Sequence, residues 1–87
     1  MKYDLVWADK KVLKNFQGLQ PDTQDRLKNS ILKLSDDPCP SGAKMLAGKL
    51  KGVWRMCVGD FRVLYDIDDA AKKIFLLDVG HRKHIYR

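Results

Sequence analysis

The chain predicts an α+β fold: an N-terminal strand, a two-helix antiparallel hairpin, then a C-terminal antiparallel sheet. Three observations predict it. Apolar and polar residues alternate over residues 2–7; two stretches of helical spacing follow; and from Trp54 onward the period returns to two. Helices that precede an unbroken run of strands pack together on one face of the sheet those strands make. At 87 residues the chain has the length of one domain, spanning 1–87.

In the opening strand, Tyr3, Leu5 and Trp7 alternate with Lys2, Asp4 and Val6. Val12, Leu13, Phe16 and Leu19 then fall at helical spacing, which predicts a short amphipathic helix over residues 9–18 with Lys10, Lys11 and Lys14 toward solvent. Pro21 followed by Asp22 starts a second helix, because proline suits the first turn and a carboxylate suits the positive end of the dipole. Leu27, Ile31 and Leu34 form its apolar stripe, widened by Leu32, and Asp36-Asp37-Pro38 stops it. The short connection between the helices makes them an antiparallel pair.

Residues 38–52 read as the long loop, with two prolines, and lysines at Lys44, Lys49 and Lys51. Gly48 and Gly52 beside those lysines suit close approach to a phosphate backbone; the same composition also suits a plain connector with solvated lysines.

Trp54, Met56 and Val58 alternate with Arg55 and Cys57, and Gly59-Asp60 fits a two-residue hairpin turn. That turn pairs Val58 with Phe61, Cys57 with Arg62, Met56 with Val63, Arg55 with Leu64 and Trp54 with Tyr65. One face of the hairpin is then apolar, and the other carries Arg55, Cys57, Arg62 and Leu64. A one-residue slip would bury both arginines, which desolvation forbids. The chain turns again at Asp68-Asp69-Ala70-Ala71, and residues 74–79, apolar on both faces, read as a central strand. If Asp78 points away from the core, Gly80 and Arg82 share its parity, and Arg82 joins the arginine face. The ending is Gly80-His81-Arg82-Lys83-His84-Ile85-Tyr86-Arg87.

Seventeen Lys and Arg against eleven Asp and Glu give a net charge of +6 and a pI near 9.5, an excess that favours a polyanionic partner. Cys39 and Cys57 form no CxxC pair and read as free thiols in a reducing cytoplasm; Met1-Lys2 opens no signal peptide. The longest apolar run is a few residues, against the roughly 20 needed to span a bilayer, so no membrane association is expected.

Three arginines on one sheet face can grip a phosphodiester, since each presents a rigid fork of donors and stays charged at any cellular pH. Tyr86 beside them can stack on a base, His81 and His84 can move protons near neutral pH, and Lys83 and Arg87 add positive charge. The spacing of carboxylates, histidines and cysteines suggests neither a magnesium nor a zinc site, so no metal and no cofactor is expected. Without a metal, the accessible RNA cleavage uses the substrate's own 2′-hydroxyl as nucleophile on the adjacent phosphate. The protein must take that proton, stabilise the added negative charge, and protonate the departing 5′-oxygen. A plainer reading stays open: Arg55 and Arg62 as exposed strand residues paired with Asp66 or Asp78, and the ending as a basic tail.

The loop GAKMLAGKLKGVWR, the hairpin VGDFRVLYDID and the ending LLDVGHRKHIYR, in this order, resemble the RelE/ParE toxin superfamily over essentially the whole chain. Within it the match is nearest the RelE-like mRNA interferases of type II toxin–antitoxin systems. The resemblance implies a strand, a helical hairpin and an antiparallel sheet. It also implies a ribosome-dependent, metal-independent endoribonuclease that cuts mRNA in the ribosomal A site by 2′-hydroxyl attack. A cognate RelB-like antitoxin would hold it inactive in a hetero-oligomer. Carried over by motif, Arg62 matches the phosphate-stabilising arginine, Arg55 resembles a basic residue of the preceding strand, Arg82 the arginine after the Val-Gly step, and Tyr86 the C-terminal tyrosine. The lysine that serves as general base in some members falls at Cys57, a neutral thiol. Proton transfer then passes to His81 first and Lys51 next, or rests on the ribosome's positioning of the 2′-hydroxyl. A ParE-like toxin that inhibits DNA gyrase by binding, and a catalytically weak member that binds only antitoxin or RNA, are the alternatives.

Overall fold

The computed structural model describes residues 2–38, 43–46 and 52–81. In chain order the elements are β1 (Asp4–Trp7), α1 (Lys10–Gln17), α2 (Pro21–Leu34), β2 (Lys44–Met45), β3 (Trp54–Val58), β4 (Phe61–Asp68) and β5 (Lys73–His81). The strands form one five-stranded sheet in the order β1-β5-β4-β3-β2, with the helices on one face. This is the expected strand, helical hairpin and antiparallel sheet, with one addition. β1 returns to the sheet beside β5 and runs parallel to it, Leu5 facing Ile74 and Trp7 facing Leu76, so the sheet is mixed. The short β2 lies within the stretch expected as loop and pairs antiparallel with β3.

Each helix begins and ends for an identifiable reason. Asp9 caps α1, its Oδ1 accepting from the backbone N–H groups of Lys11 and Val12 at 2.8 and 3.1 Å. The far end of α1 is held by Gln24 of α2, whose Nε2 donates to the carbonyls of Gln17 and Leu19 at 3.0 and 2.7 Å. Pro21 and Asp22 occupy the first turn of α2, as their residue types require. Its last turn is tied to β1: the backbone N–H of Tyr3 donates to the Ser35 carbonyl at 2.9 Å, and the Ser35 hydroxyl donates to the Tyr3 carbonyl at 2.7 Å.

The core lies between the helices and one sheet face. Val12, Leu27, Ile31 and Leu34 from the helices meet Met56, Val63, Tyr65, Ile74, Leu76 and Val79 from the strands. Burying each of the large ones stabilises the fold by roughly 1.5–3 kcal/mol. Leu32 does not widen the stripe as its spacing suggested; it is 51% exposed, one helical step beyond the core. Fully buried Tyr65 donates its hydroxyl to the Pro38 carbonyl at 2.8 Å, tying the end of the α2 connection to the middle of the sheet. At the β4–β5 turn the backbone N–H of Ala71 donates to Asp68 Oδ1 at 3.0 Å, and Lys72 takes a left-handed conformation at φ 57°. The Tyr3 hydroxyl donates to Asp69 across the same end of the molecule, with the Lys72 ammonium 5.2 Å from the Tyr3 ring. No helix among the described residues is long and apolar enough to cross a membrane.

Candidate functional site

The β3–β4 hairpin has the register its alternation dictates: Trp54 with Tyr65, Arg55 with Leu64, Met56 with Val63, Cys57 with Arg62 and Val58 with Phe61. Gly59 opens the two-residue turn at φ 60°, while Asp60 keeps a negative φ. Positive φ at the first position alone is the type II′ turn, which explains Gly-Asp where Asp-Gly is the commoner order. The turn therefore sets the register, and the register sets the faces.

β5 completes the site through an irregularity. Ile74 and Leu76 pair with Ile67 and Tyr65 on the core face, yet Asp78 pairs with Leu64 and Gly80 with Arg62. Leu77 is the surplus residue between them, a β-bulge that reverses the parity of everything after it. Without it, strict alternation from Leu76 would have turned Asp78 and Gly80 into the core and Val79 out of it.

On the face away from the helices the paired residues line up in two adjacent cross-strand rows. The first runs Lys44, Arg55, Leu64, Asp78 from β2 to β5, and the second Cys57, Arg62, Gly80 from β3 to β5. Neighbouring strands lie about 4.8 Å apart, so Lys44, Arg55 and Arg62 stand on three successive strands of one sheet face. Leu64 is buried although neither described helix packs on this face, and Val6 and Phe75, paired on the same parity, are half-buried.

Arg55 and Arg62 are half-buried with their Nε atoms shielded from solvent, so their aliphatic stems lie along the sheet. Arg62 donates through Nη1 to the Phe61 carbonyl at 3.2 Å, which braces the guanidinium against its own strand. Its Nε finds no hydrogen-bond partner among the described residues. The Cys57 thiol directly opposite is free and exposed.

The structure thus brings together Arg55, Arg62, Lys44 and Cys57, and adds Asp78, whose place the sequence left conditional. It does not bring His81 to them. His81 pairs with Phe61, which packs against the core, and the two rings meet edge to face at 5.5 Å. Parity therefore puts the expected proton carrier on the opposite side of the sheet from the arginines. Lys49, Lys51, Arg82, Lys83, Tyr86 and Arg87 lie outside the described residues. Among the described residues no group of three or more His, Cys, Asp or Glu is placed to hold a metal ion.

Residues 5–86 match the family model described as the ParE toxin of type II toxin–antitoxin system, parDE. Among solved structures the chain is similar to one in the toxin–antitoxin complex RelBE2 from Mycobacterium tuberculosis. The identity is 25% and the TM-score 0.83, covering 94% of this chain and 100% of that one. It is likewise similar to a chain of the archaeal RelE–RelB complex from Pyrococcus horikoshii OT3, at 26% identity and TM-score 0.81, covering 98% and 100%. The YoeB/ParE toxin from Agrobacterium tumefaciens shares the fold at 13% identity and TM-score 0.74, with 94% and 99% covered. No curated protein matches the chain.

Proposed function

The chain belongs to the family of ParE toxins of type II toxin–antitoxin systems, and from that premise we propose that it is a ribosome-dependent, metal-independent endoribonuclease that cuts mRNA in the ribosomal A site. The observation that carries this reading is the placement of Arg55 and Arg62 in adjacent rows of one sheet face, with Lys44 paired beside Arg55. A phosphodiester seated there meets rigid, permanently charged donors.

In this mechanism the nucleophile is the 2′-hydroxyl next to the scissile phosphate. Its oxygen attacks phosphorus, the P–O5′ bond breaks, and the products are a 2′,3′-cyclic phosphate and a 5′-hydroxyl. Arg62 stabilises the charge that builds on the non-bridging oxygens, the largest single contribution in such a site. Arg55 and Lys44 hold the flanking backbone, with Lys49, Lys51, Lys83 and Arg87 extending the contact. Arg82 and Tyr86 complete the site, Arg82 on the phosphate and Tyr86 stacked on a base. With Cys57 where a lysine base would stand, and His81 across the sheet, the ribosome's alignment of the 2′-hydroxyl supplies the larger share of the remaining rate.

The protein acts in the cytoplasm as a single domain. Its partner is a cognate RelB-like antitoxin, which covers the basic face with an acidic or amphipathic segment and forms a hetero-oligomer. Relatives at 25% and 26% identity are themselves found in RelBE2 and RelE–RelB complexes.

A second reading is favoured by the description of the matching family model, the ParE toxin: a non-nuclease that inhibits DNA gyrase by binding. Mapping mRNA 5′ ends in a translating extract separates the two. The ribonuclease reading expects codon-phased cuts that vanish when translation is blocked and with Arg62→Ala. Intact message together with loss of gyrase-driven supercoiling would replace it with the second.

A further inference from the structure

The bulge at Leu77 delivers a carboxylate to the arginine face. Asp78 pairs with Leu64 and stands in the row of Lys44 and Arg55, while Gly80 pairs with Arg62 in the next row. Asp78 and Arg62 are therefore diagonal neighbours, about 7–8 Å apart, a separation that long side chains bridge. Beside both lies Gly80, with nothing within 4 Å of the place where a Cβ would stand. The floor between guanidinium and carboxylate is thus bare backbone, open to a sugar-phosphate unit.

Asp78 is half-buried and oriented by its own strand. Its Oδ1 accepts from the backbone N–H of Val79 at 2.9 Å, and Oδ2 has no hydrogen-bond partner among the described residues. An ionised carboxylate only accepts, so Oδ2 is suited to a hydroxyl that approaches along the face. Arg62 lies on one diagonal from Asp78 and Asp66 on the other, beyond the bulge; Arg55 and Lys44 continue the row past Leu64. β1 brings no charge to it, because its pairing with β5 stops at Leu76.

Cleavage through the 2′-hydroxyl needs a group that takes its proton. Cys57 is a thiol, and His81 pairs with Phe61 on the other side of the sheet. Asp66 shares the face but stands two same-face positions from Arg62 along β4, with Leu64 between them. Asp78 is the carboxylate that the register sets beside Arg62.

We propose that Asp78 is the proton acceptor of the cleavage, taking the 2′-hydroxyl proton through Oδ2 while Arg62 holds the scissile phosphate. This rests on the ribonuclease reading above and names the group that reading lacked. The proton passes to Asp78 as the 2′-oxygen bonds to phosphorus. The P–O5′ bond breaks, O5′ takes a proton from water, and Asp78 returns its own proton to solvent. The products are the 2′,3′-cyclic phosphate and the 5′-hydroxyl, with no net proton consumed. Carboxylates are weak bases, so the lower end of the roughly 10²–10⁴-fold range for a positioned base applies.

The test is single-turnover cleavage of A-site mRNA on programmed ribosomes by the full chain, with ribosome affinity measured in parallel. Asp78→Asn keeps an acceptor for the Val79 N–H and removes the charge; Asp78→Ala removes both and leaves space. Each should lower the cleavage rate by about 10²-fold, with ribosome affinity within about twofold of the parent. Added formate, compared with an equal concentration of chloride, should raise the rate of Asp78→Ala about tenfold by supplying the missing carboxylate. It should do nothing for Asp78→Asn, whose amide fills the space. Unchanged rates in both variants would overturn Asp78 as the acceptor and leave the arginine site standing. A loss that formate does not relieve in Asp78→Ala would overturn it as well, making the carboxylate a structural residue. Message left intact by the parent protein would overturn the ribonuclease reading itself.

Discussion

Cys57 and Arg62 face each other across the β3–β4 ladder, an exposed thiol beside a braced guanidinium on the helix-free face of the sheet. A general base is expected at the position of Cys57 and a phosphate-binding residue at Arg62. In the proposed ribonuclease mechanism the pair separates charge stabilisation, assigned to Arg62, from proton transfer, for which Cys57 offers no lysine.

Charge stabilisation is the role proposed for Arg62. Arg62→Ala should lower cleavage of A-site mRNA by roughly 10²–10³-fold, the usual effect of removing one transition-state donor. The side chain makes no contribution to the core, so the melting temperature should stay within a few degrees of the parent. Undiminished cleavage by a folded Arg62→Ala protein would take Arg62 out of the mechanism.

In the proposed mechanism Cys57 takes no part in proton transfer. Cys57→Ser should leave the cleavage rate within about twofold, because a thiol that transfers no proton is replaced by a hydroxyl of similar size. Cys57→Lys should raise the rate by roughly 10²-fold, the lower end of what a positioned base contributes. Single-turnover cleavage on programmed ribosomes measures both; a large loss in Cys57→Ser would make the thiol the proton acceptor.

Tyr65 makes a structural prediction. Its hydroxyl is committed to the Pro38 carbonyl from a fully buried ring. Tyr65→Phe keeps the packing and leaves that carbonyl to water or to strain, destabilising the fold by about 1 kcal/mol. Denaturant unfolding should show the midpoint fall with an unchanged slope. A midpoint that does not move would mean the hydrogen bond contributes nothing net.

The bulge at Leu77 makes a sharper one. Deleting Leu77 removes the surplus residue and returns β5 to strict alternation with Leu76 and Val79 still facing the core. The deletion protein should fold, with dispersed amide spectra and a lowered melting temperature. Deleting Val63, in a stretch of β4 with no surplus residue, should flip one end of the strand and prevent folding. Collapse of both proteins alike would show that β5 tolerates no change of length at the bulge.

The contrast between these strands shows what was legible. Around Gly59-Asp60 the sequence carried everything needed: alternation, a short turn, and two arginines that cannot be buried, so Cys57 could be set opposite Arg62 from local rules alone. The start of the second helix at Pro21-Asp22 was legible for the same reason, since the signals lie within one turn. Leu32 misled because helical spacing gives the direction of a stripe and not its width.

What the sequence alone determined, then, was the order of elements, the hairpin register and the arginine face, each governed by neighbours close in the chain. Tertiary structure decided the rest. β1 settles beside β5 by a pairing across nearly the whole chain length, which no local pattern encodes. Residues 74–79 are apolar on both faces, so alternation could not reveal the surplus residue that sends Asp78 and Gly80 to the arginines and His81 to the other side. Parity after a bulge depends on which partner residues the strand meets, and only the assembled sheet supplies those partners.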